Sequence, residues 1–255
     1  MFVMDLGGGT LALLAVAGFV AGAINAAAGG GSLVTFPALV AAGYPPLIAN
    51  VTNNVAVLPG YVTGTWGYRG ELRGQSRRIL PLAAVSALGS LVGVGLILVS
   101  SQAAFEGVVP FLVLASCALL AAQPAIGRRI GERAGEHERP GAGALVGQTL
   151  AAVYGGYFGA ALGVAVLALL GVFFYDTLQR LNALKALLQL VIGGVAALGF
   201  ALLTPVAWGA AAVVGSASLA GGLVGARLAM LVSDRVLRVG IVAYGVVAAV
   251  WLLLR

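Results

Sequence analysis

The chain has 255 residues, of which 61% are hydrophobic and 9% charged, with a formal net charge of +6. A soluble domain typically carries about 25% charged residues, so this composition excludes a protein whose whole surface faces water. Several apolar runs reach the roughly 18 or more residues that a bilayer span requires, and the basic residues lie in short loops between them, which is a membrane pattern and not a nucleic-acid surface.

The apolar segments fall near 7–25, 31–43, 47–67, 79–99, 104–122, 143–156, 158–174, 181–202, 206–224 and 236–254. The fold class expected is all-α and polytopic. The first ten residues hold Asp5 but no Lys or Arg. A cleaved signal peptide needs a basic start, so the first segment is expected to remain as a span.

Two joins fall on glycine clusters, Gly29-Gly30-Gly31 and Gly155-Gly156. Broken helices are tolerated in lipid only where protein or a wet cavity surrounds the freed backbone. Segments 7–43 and 143–174 therefore read either as single broken spans or as helical hairpins that enter and return. The arginines discriminate. With two hairpins, Arg69, Arg73, Arg77, Arg78, Arg128, Arg129, Arg133, Arg139, Arg180, Arg227, Arg235 and Arg238 share one side, and only Arg255 lies opposite. With two single spans the last four of that group change sides. The positive-inside rule favours ten segments with both termini outside.

The glycine–alanine pattern Gly18, Gly22, Ala26, Ala27, Gly30, Gly31 recurs without gaps as Gly143, Gly147, Ala151, Ala152, Gly155, Gly156. Five segments per half would insert the second half upside down, a plan common among secondary transporters. The expected division is a transmembrane repeat at 1–122, a charged cytoplasmic linker at 123–142 and a second repeat at 143–255. His137, the single histidine, falls in the linker and reads as a solvated loop residue.

Three clusters carry candidate chemistry. In the first, Asn25 precedes Gly30, Gly31 and Ser32. An opened backbone followed by a helix start offers amides to an anion, or else Asn25 and Ser32 simply satisfy a tight turn and cap a helix. The second is Asn50, Thr52, Asn53 and Asn54. Amides among apolar residues are costly in hydrocarbon without partners, so they line a cavity or cap a helix at the membrane surface. The third is Asn182, Lys185 and Gln189, which share one helical face. Lys185, the only lysine, lies roughly 10 Å into its helix at 1.5 Å per residue. It either meets an anionic substrate or snorkels to the surface. Gln148 is a further polar residue inside an apolar run.

No Walker loop and no pair of carboxylates within a span is present, and Cys117 is the only cysteine. An enzyme, a metal site, a disulfide and a cofactor are therefore not expected.

These residues resemble the sulfite exporter TauE/SafE family of bacterial membrane proteins. The likeness rests on Gly18 to Asn25 with Gly29 to Ser32, Phe36-Pro37-Ala38-Leu39, Ala49 to Asn54, Leu58-Pro59-Gly60 and Gly67 to Leu72. The second half adds Gly155-Gly156, Gly159, Arg180, Asn182 and Lys185. The resemblance implies an inner-membrane secondary transporter for small anions, with sulfite and organosulfonates such as sulfoacetate as leading substrates. It also implies a pseudo-symmetric pair of repeats. The second glycine cluster is shorter than the first and lacks a proline matching Pro37.

The reading is export of a small sulfur-containing anion by alternating access. The expected substrate-binding set is Asn25, Gly30, Gly31, Ser32, Thr52, Asn53, Gln148, Asn182 and Lys185. The alternatives are a passive anion channel or a transporter of another small anion such as a carboxylate. Expected partners are the anion, the lipid bilayer and, for a coupled carrier, a proton or sodium ion.

Overall fold

The computed structural model describes residues 7–27, 30–130, 139–228 and 234–254. Asp5, Gly29, Arg133, His137 and Arg255 lie outside the described residues. Among the described residues there are eleven helices and no strand: α1 (Gly8–Ala27), α2 (Ser32–Ala41), α3 (Pro46–Ala56), α4 (Leu58–Gly67), α5 (Ser76–Val99), α6 (Gln102–Ile130), α7 (Ala142–Tyr157), α8 (Leu162–Phe173), α9 (Leu178–Leu203), α10 (Trp208–Leu228) and α11 (Asp234–Leu254). Stretches of α1, α5, α6 and α9 are each long and apolar enough to cross a bilayer. At 10 and 12 residues, α2 and α8 reach only about half the hydrocarbon thickness. Lipid-facing positions such as Val16, Leu88, Leu198 and Val247 are exposed, while Leu14, Leu82, Ile192 and Ala249 are buried. The protein is a polytopic membrane protein whose apolar residues cover its outside as well as its core.

The stretch expected as one segment at 47–67 is two helices set end to end. Pro59 has no N–H to donate, so it sits in the first turn of a new helix, where none is needed. The amides of Gly60 and Tyr61 both donate to the Val57 carbonyl, at 3.0 and 3.3 Å.

The pair α7–α8 is a hairpin. The Gly143 backbone lies against the Phe173 ring, Gly147 against Leu169 and Gly155 against Leu162, so contacts run antiparallel from the open end to the tip. The break is not at Gly155-Gly156, which remain inside α7. The chain leaves the helix at Phe158, and Gly159 (φ 75°) and Ala161 (φ 55°) take left-handed backbone conformations that turn it back. Gly156 instead lets α7 approach the backbone of Ser90 on α5, where a Cβ has no room.

The short α2 runs from the bundle interior to one end of it. Leu33 sits near Gly245 of α11, and Gly30 lies beside Leu120 of α6. At the other end of α2, Gly43 and Pro45 line a cavity of about 380 Å³ with Glu106 and Leu252. That end also holds the start of α6, just beyond the end of α5. The open end of α7–α8, by contrast, lies at the start of α5, where Arg78 pairs with Asp176. The two short helices therefore return to opposite ends of the bundle.

Glycines set the tightest helix pairs. Gly18 and Gly22 of α1 pack on the backbone of Val214 and Ser218 of α10, and Gly221 packs on Phe19. Gly89 and Gly93 of α5 pack on Thr149 and Val153 of α7. Small residues four apart let helix backbones meet in lipid, where packing and not water exclusion drives association. The helix α6 continues through residue 130, into the stretch expected as linker.

Candidate functional site

The site is built around α3, whose Asn50, Thr52, Asn53 and Asn54 are all buried. Every buried amide needs a partner, and here the partners come from both halves of the chain. The Asn50 side chain donates to the Tyr157 carbonyl at 2.8 Å. The Asn54 side chain donates to the Asn50 carbonyl at 3.0 Å. Asn53 accepts a short hydrogen bond from the Thr35 hydroxyl of α2. Thr52 accepts from the Ala207 N–H at 3.1 Å, just before α10. Thus α3 is tied to α2 shortly after the first break and to α7 at the second. The rings of Phe36 and Phe158 meet edge-on at 5.2 Å. Ser116, midway along α6, donates to the Ala160 carbonyl at 3.2 Å, and the Tyr154 hydroxyl donates to the same oxygen at 2.5 Å. Both interruptions thus sit inside the bundle and share α3 and α6 as neighbours.

At the first break Asn25 accepts from the Gly31 N–H at 2.8 Å. That amide is held by a side chain within the protein. The Asn25 side-chain nitrogen is buried without a partner among the described residues. Ser32 opens α2 but makes no capping bond. It lies near the Tyr61 phenol of α4, as does Gln189 of α9.

Lys185 is only 2% exposed, and Gln189, one turn further along the same face, is 3% exposed. No hydrogen-bond acceptor or carboxylate meets the Lys185 ammonium among the described residues. The lysine does not snorkel to the surface. Asn182 is half-buried one turn before it. The helix α4 covers this face of α9. The Thr65 hydroxyl donates to the Ala186 carbonyl at 3.0 Å, and the Tyr61 ring lies against Gly193.

Of the residues expected from sequence, Ser32 thus lies near Tyr61 and Gln189, and Gln189 stands one turn from Lys185 on α9. Gln148 is elsewhere. It donates to Ser86 at 2.8 Å within the α5–α7 interface, and its side-chain oxygen has no partner among the described residues. Sequence reasoning left Tyr61 out, because a tyrosine after Pro59-Gly60 in an apolar run looks like any interfacial aromatic. Gln189 carried a signal, since it stands four residues from Lys185.

Below this region, at the arginine-rich end, Arg78 contacts Asp176 at 2.6 Å and Arg180 contacts it at 3.0 Å. Gln75 donates to the Arg180 carbonyl at 3.1 Å, and Arg180 donates to the Arg73 carbonyl at 3.3 Å. Burial alone would raise the Asp176 pKa. Hydrogen bonds from Arg180, the Thr177 N–H and Arg78 outweigh it and hold the carboxyl below its ordinary value.

A family model described as "Sulfite exporter TauE/SafE" matches residues 14–252. The chain is 30% identical to "Probable membrane transporter protein ORF9" of Sinorhizobium sp, across 98% of this chain and 95% of that protein. It is 28% identical to "Probable membrane transporter protein YfcA" of Escherichia coli K12, across 95% and 89%. A "Probable membrane transporter protein" of Haemophilus influenzae is 38% identical over 44% of each chain. No solved structure matches.

Proposed function

The chain belongs to the sulfite exporter TauE/SafE family and is a membrane transporter, and from that premise we propose that it exports a small sulfur-containing anion, sulfite or an organosulfonate such as sulfoacetate, by alternating access. The observation that carries this reading is Lys185, a buried ammonium with no counter-charge among the described residues. Leaving a charge uncompensated in a low-dielectric interior costs several kcal/mol. An anionic ligand offsets that cost and gains a charge-assisted hydrogen bond.

The anion in this reading lies against Lys185, Asn182 and Ser32. Asn25, Gly30, Gly31, Thr52 and Asn53 hold the backbone around it, and Gln148 acts from the α5–α7 interface. The two hairpins form inverted repeats, and α1–α10 and α5–α7 are the pairs along which they shift. The membrane is the inner membrane, with the arginine-rich end cytoplasmic and both termini outside.

The test is sulfite flux in proteoliposomes. Lys185→Gln is expected to lower the rate at least about ten-fold at low substrate, the loss of one charge-assisted bond. An unchanged rate would overturn the anion site. Flux that only ever runs down the anion's own gradient would make the protein a channel.

A further inference from the structure

Tyr61 is buried on α4, between the start of α2 and the interior face of α9. Its phenol lies near Ser32 on one side and Gln189 on the other. Its ring is seated on Gly193, where a Cβ would come within 2.8 Å of two ring carbons. One turn along α4, Thr65 accepts no freedom either: its hydroxyl donates to the Tyr61 carbonyl at 2.8 Å and to the Ala186 carbonyl at 3.0 Å. The stretch of α4 that carries Tyr61 is therefore held to α9 at Ala186, between Lys185 and Gln189, and at Gly193, one turn beyond Gln189. A phenol fixed in this way costs little further ordering when it binds a ligand.

We infer that Tyr61, with Gln189, is the substrate-reading edge of the transport site, donating to a second oxygen of the anion that Lys185 neutralises. The inference rests on the Lys185 reading above and adds the residues that select its ligand. A halide uses the ammonium and leaves the phenol and the amide unanswered. An oxyanion with two or more separated acceptor oxygens answers all three. Discrimination by a buried donor is strong, because a ligand that cannot accept leaves that donor unpaired. Gly193 is then a positioning residue, holding the ring at its place.

The experiment uses the full chain in proteoliposomes, with sulfite as substrate and chloride as competitor. For the wild type, equimolar chloride is expected to leave sulfite flux unchanged. Tyr61→Phe keeps the ring and removes the hydroxyl. It is expected to raise the sulfite KM about ten-fold, with kcat within about three-fold, and to make chloride an effective competitor. A Tyr61→Phe protein with wild-type KM and wild-type chloride resistance, in a preparation where Lys185→Gln is inactive, overturns the role of Tyr61 and leaves the Lys185 site standing. Wild-type flux in Lys185→Gln brings down the underlying site instead. Should Tyr61→Phe fail to fold, Gln189→Leu is read for the same KM and chloride effects and decides in the same way.

Discussion

Asn50 and Tyr157 stand 107 positions apart in the chain, yet the Asn50 side chain donates to the Tyr157 carbonyl at 2.8 Å. Tyr157 is the last residue of α7, so its carbonyl has lost its helical acceptor role at the break. In hydrocarbon no water replaces that bond. Asn50 therefore makes the interruption between α7 and α8 affordable, and its own carbonyl is occupied by Asn54. Replacing Asn50 with Leu keeps the branched heavy-atom shape and orphans the carbonyl. The expected loss is about 1–3 kcal/mol, seen as a lower thermal midpoint of the detergent-solubilised protein. An unchanged midpoint would mean that the break is stabilised without Asn50.

The arginine-rich end makes a different prediction. Asp176 holds Arg78 and Arg180 together, and so joins the end of the α7–α8 hairpin to the start of α5. Its side chain is 14% exposed, between a surface pair and a buried one. Asp176→Asn is expected to cost about 1–2 kcal/mol at neutral pH. The pH dependence follows from a folded-state pKa held below the ordinary value. The contribution is complete above the unfolded pKa of about 3.9 and disappears as pH falls through the depressed folded value. Thermal midpoints of wild type and variant should differ at pH 7 and converge on acidification. A gap that persists unchanged into strong acid would show that the charge of Asp176 is not what holds this end.

Two glycines on one turn of α5 should behave oppositely. A Cβ on Gly93 would run into the Val153 carbonyl and lie 2.7 Å from the Gly156 carbonyl carbon, whereas Gly95 has nothing within 4 Å of its added Cβ. Gly93→Ala must push α5 and α7 apart, and overpacking of this kind costs about 1–3 kcal/mol. Gly95→Ala meets open space and gains about 0.5–1 kcal/mol of helix propensity. Paired thermal melts of the two variants check this. Equal midpoints would contradict the close α5–α7 packing.

The helices were legible in the sequence because apolar runs separated by arginine loops leave few alternatives in a bilayer. The second break was legible only approximately. Gly155-Gly156 and Gly159 are alike as letters, but the first two serve close packing and only Gly159 has a left-handed backbone. Local sequence cannot separate these uses, since the neighbour that demands Gly156 is Ser90 on α5. The same limit applies to the polar residues. That Asn50 and Asn53 would need protein or water partners follows from the cost of amides in lipid, whereas the sequence left Lys185 open between an interior site and the surface. Which of them bond to protein and which stay available follows from tertiary neighbours. Thr52 looked like a ligand and accepts from the Ala207 N–H, while Tyr61, which the sequence did not single out, lies near Ser32 and Gln189.

The orientation in the membrane is testable with cysteines, because the one native thiol, Cys117, is buried beside Gly245. Gly70 lies in the exposed loop between α4 and α5, among Arg69, Arg73, Arg77 and Arg78, and Ser101 lies exposed at the opposite end of α5, near Glu106. Positive charge is retained on the cytoplasmic side during insertion. In a Cys117→Ala background, Gly70→Cys should react with a membrane-impermeant maleimide only after the cells are opened. Ser101→Cys should react in intact cells. The reverse pattern would place the Asp176 cluster on the outer surface, and the carrier would then take up its anion from the end proposed here as the exit.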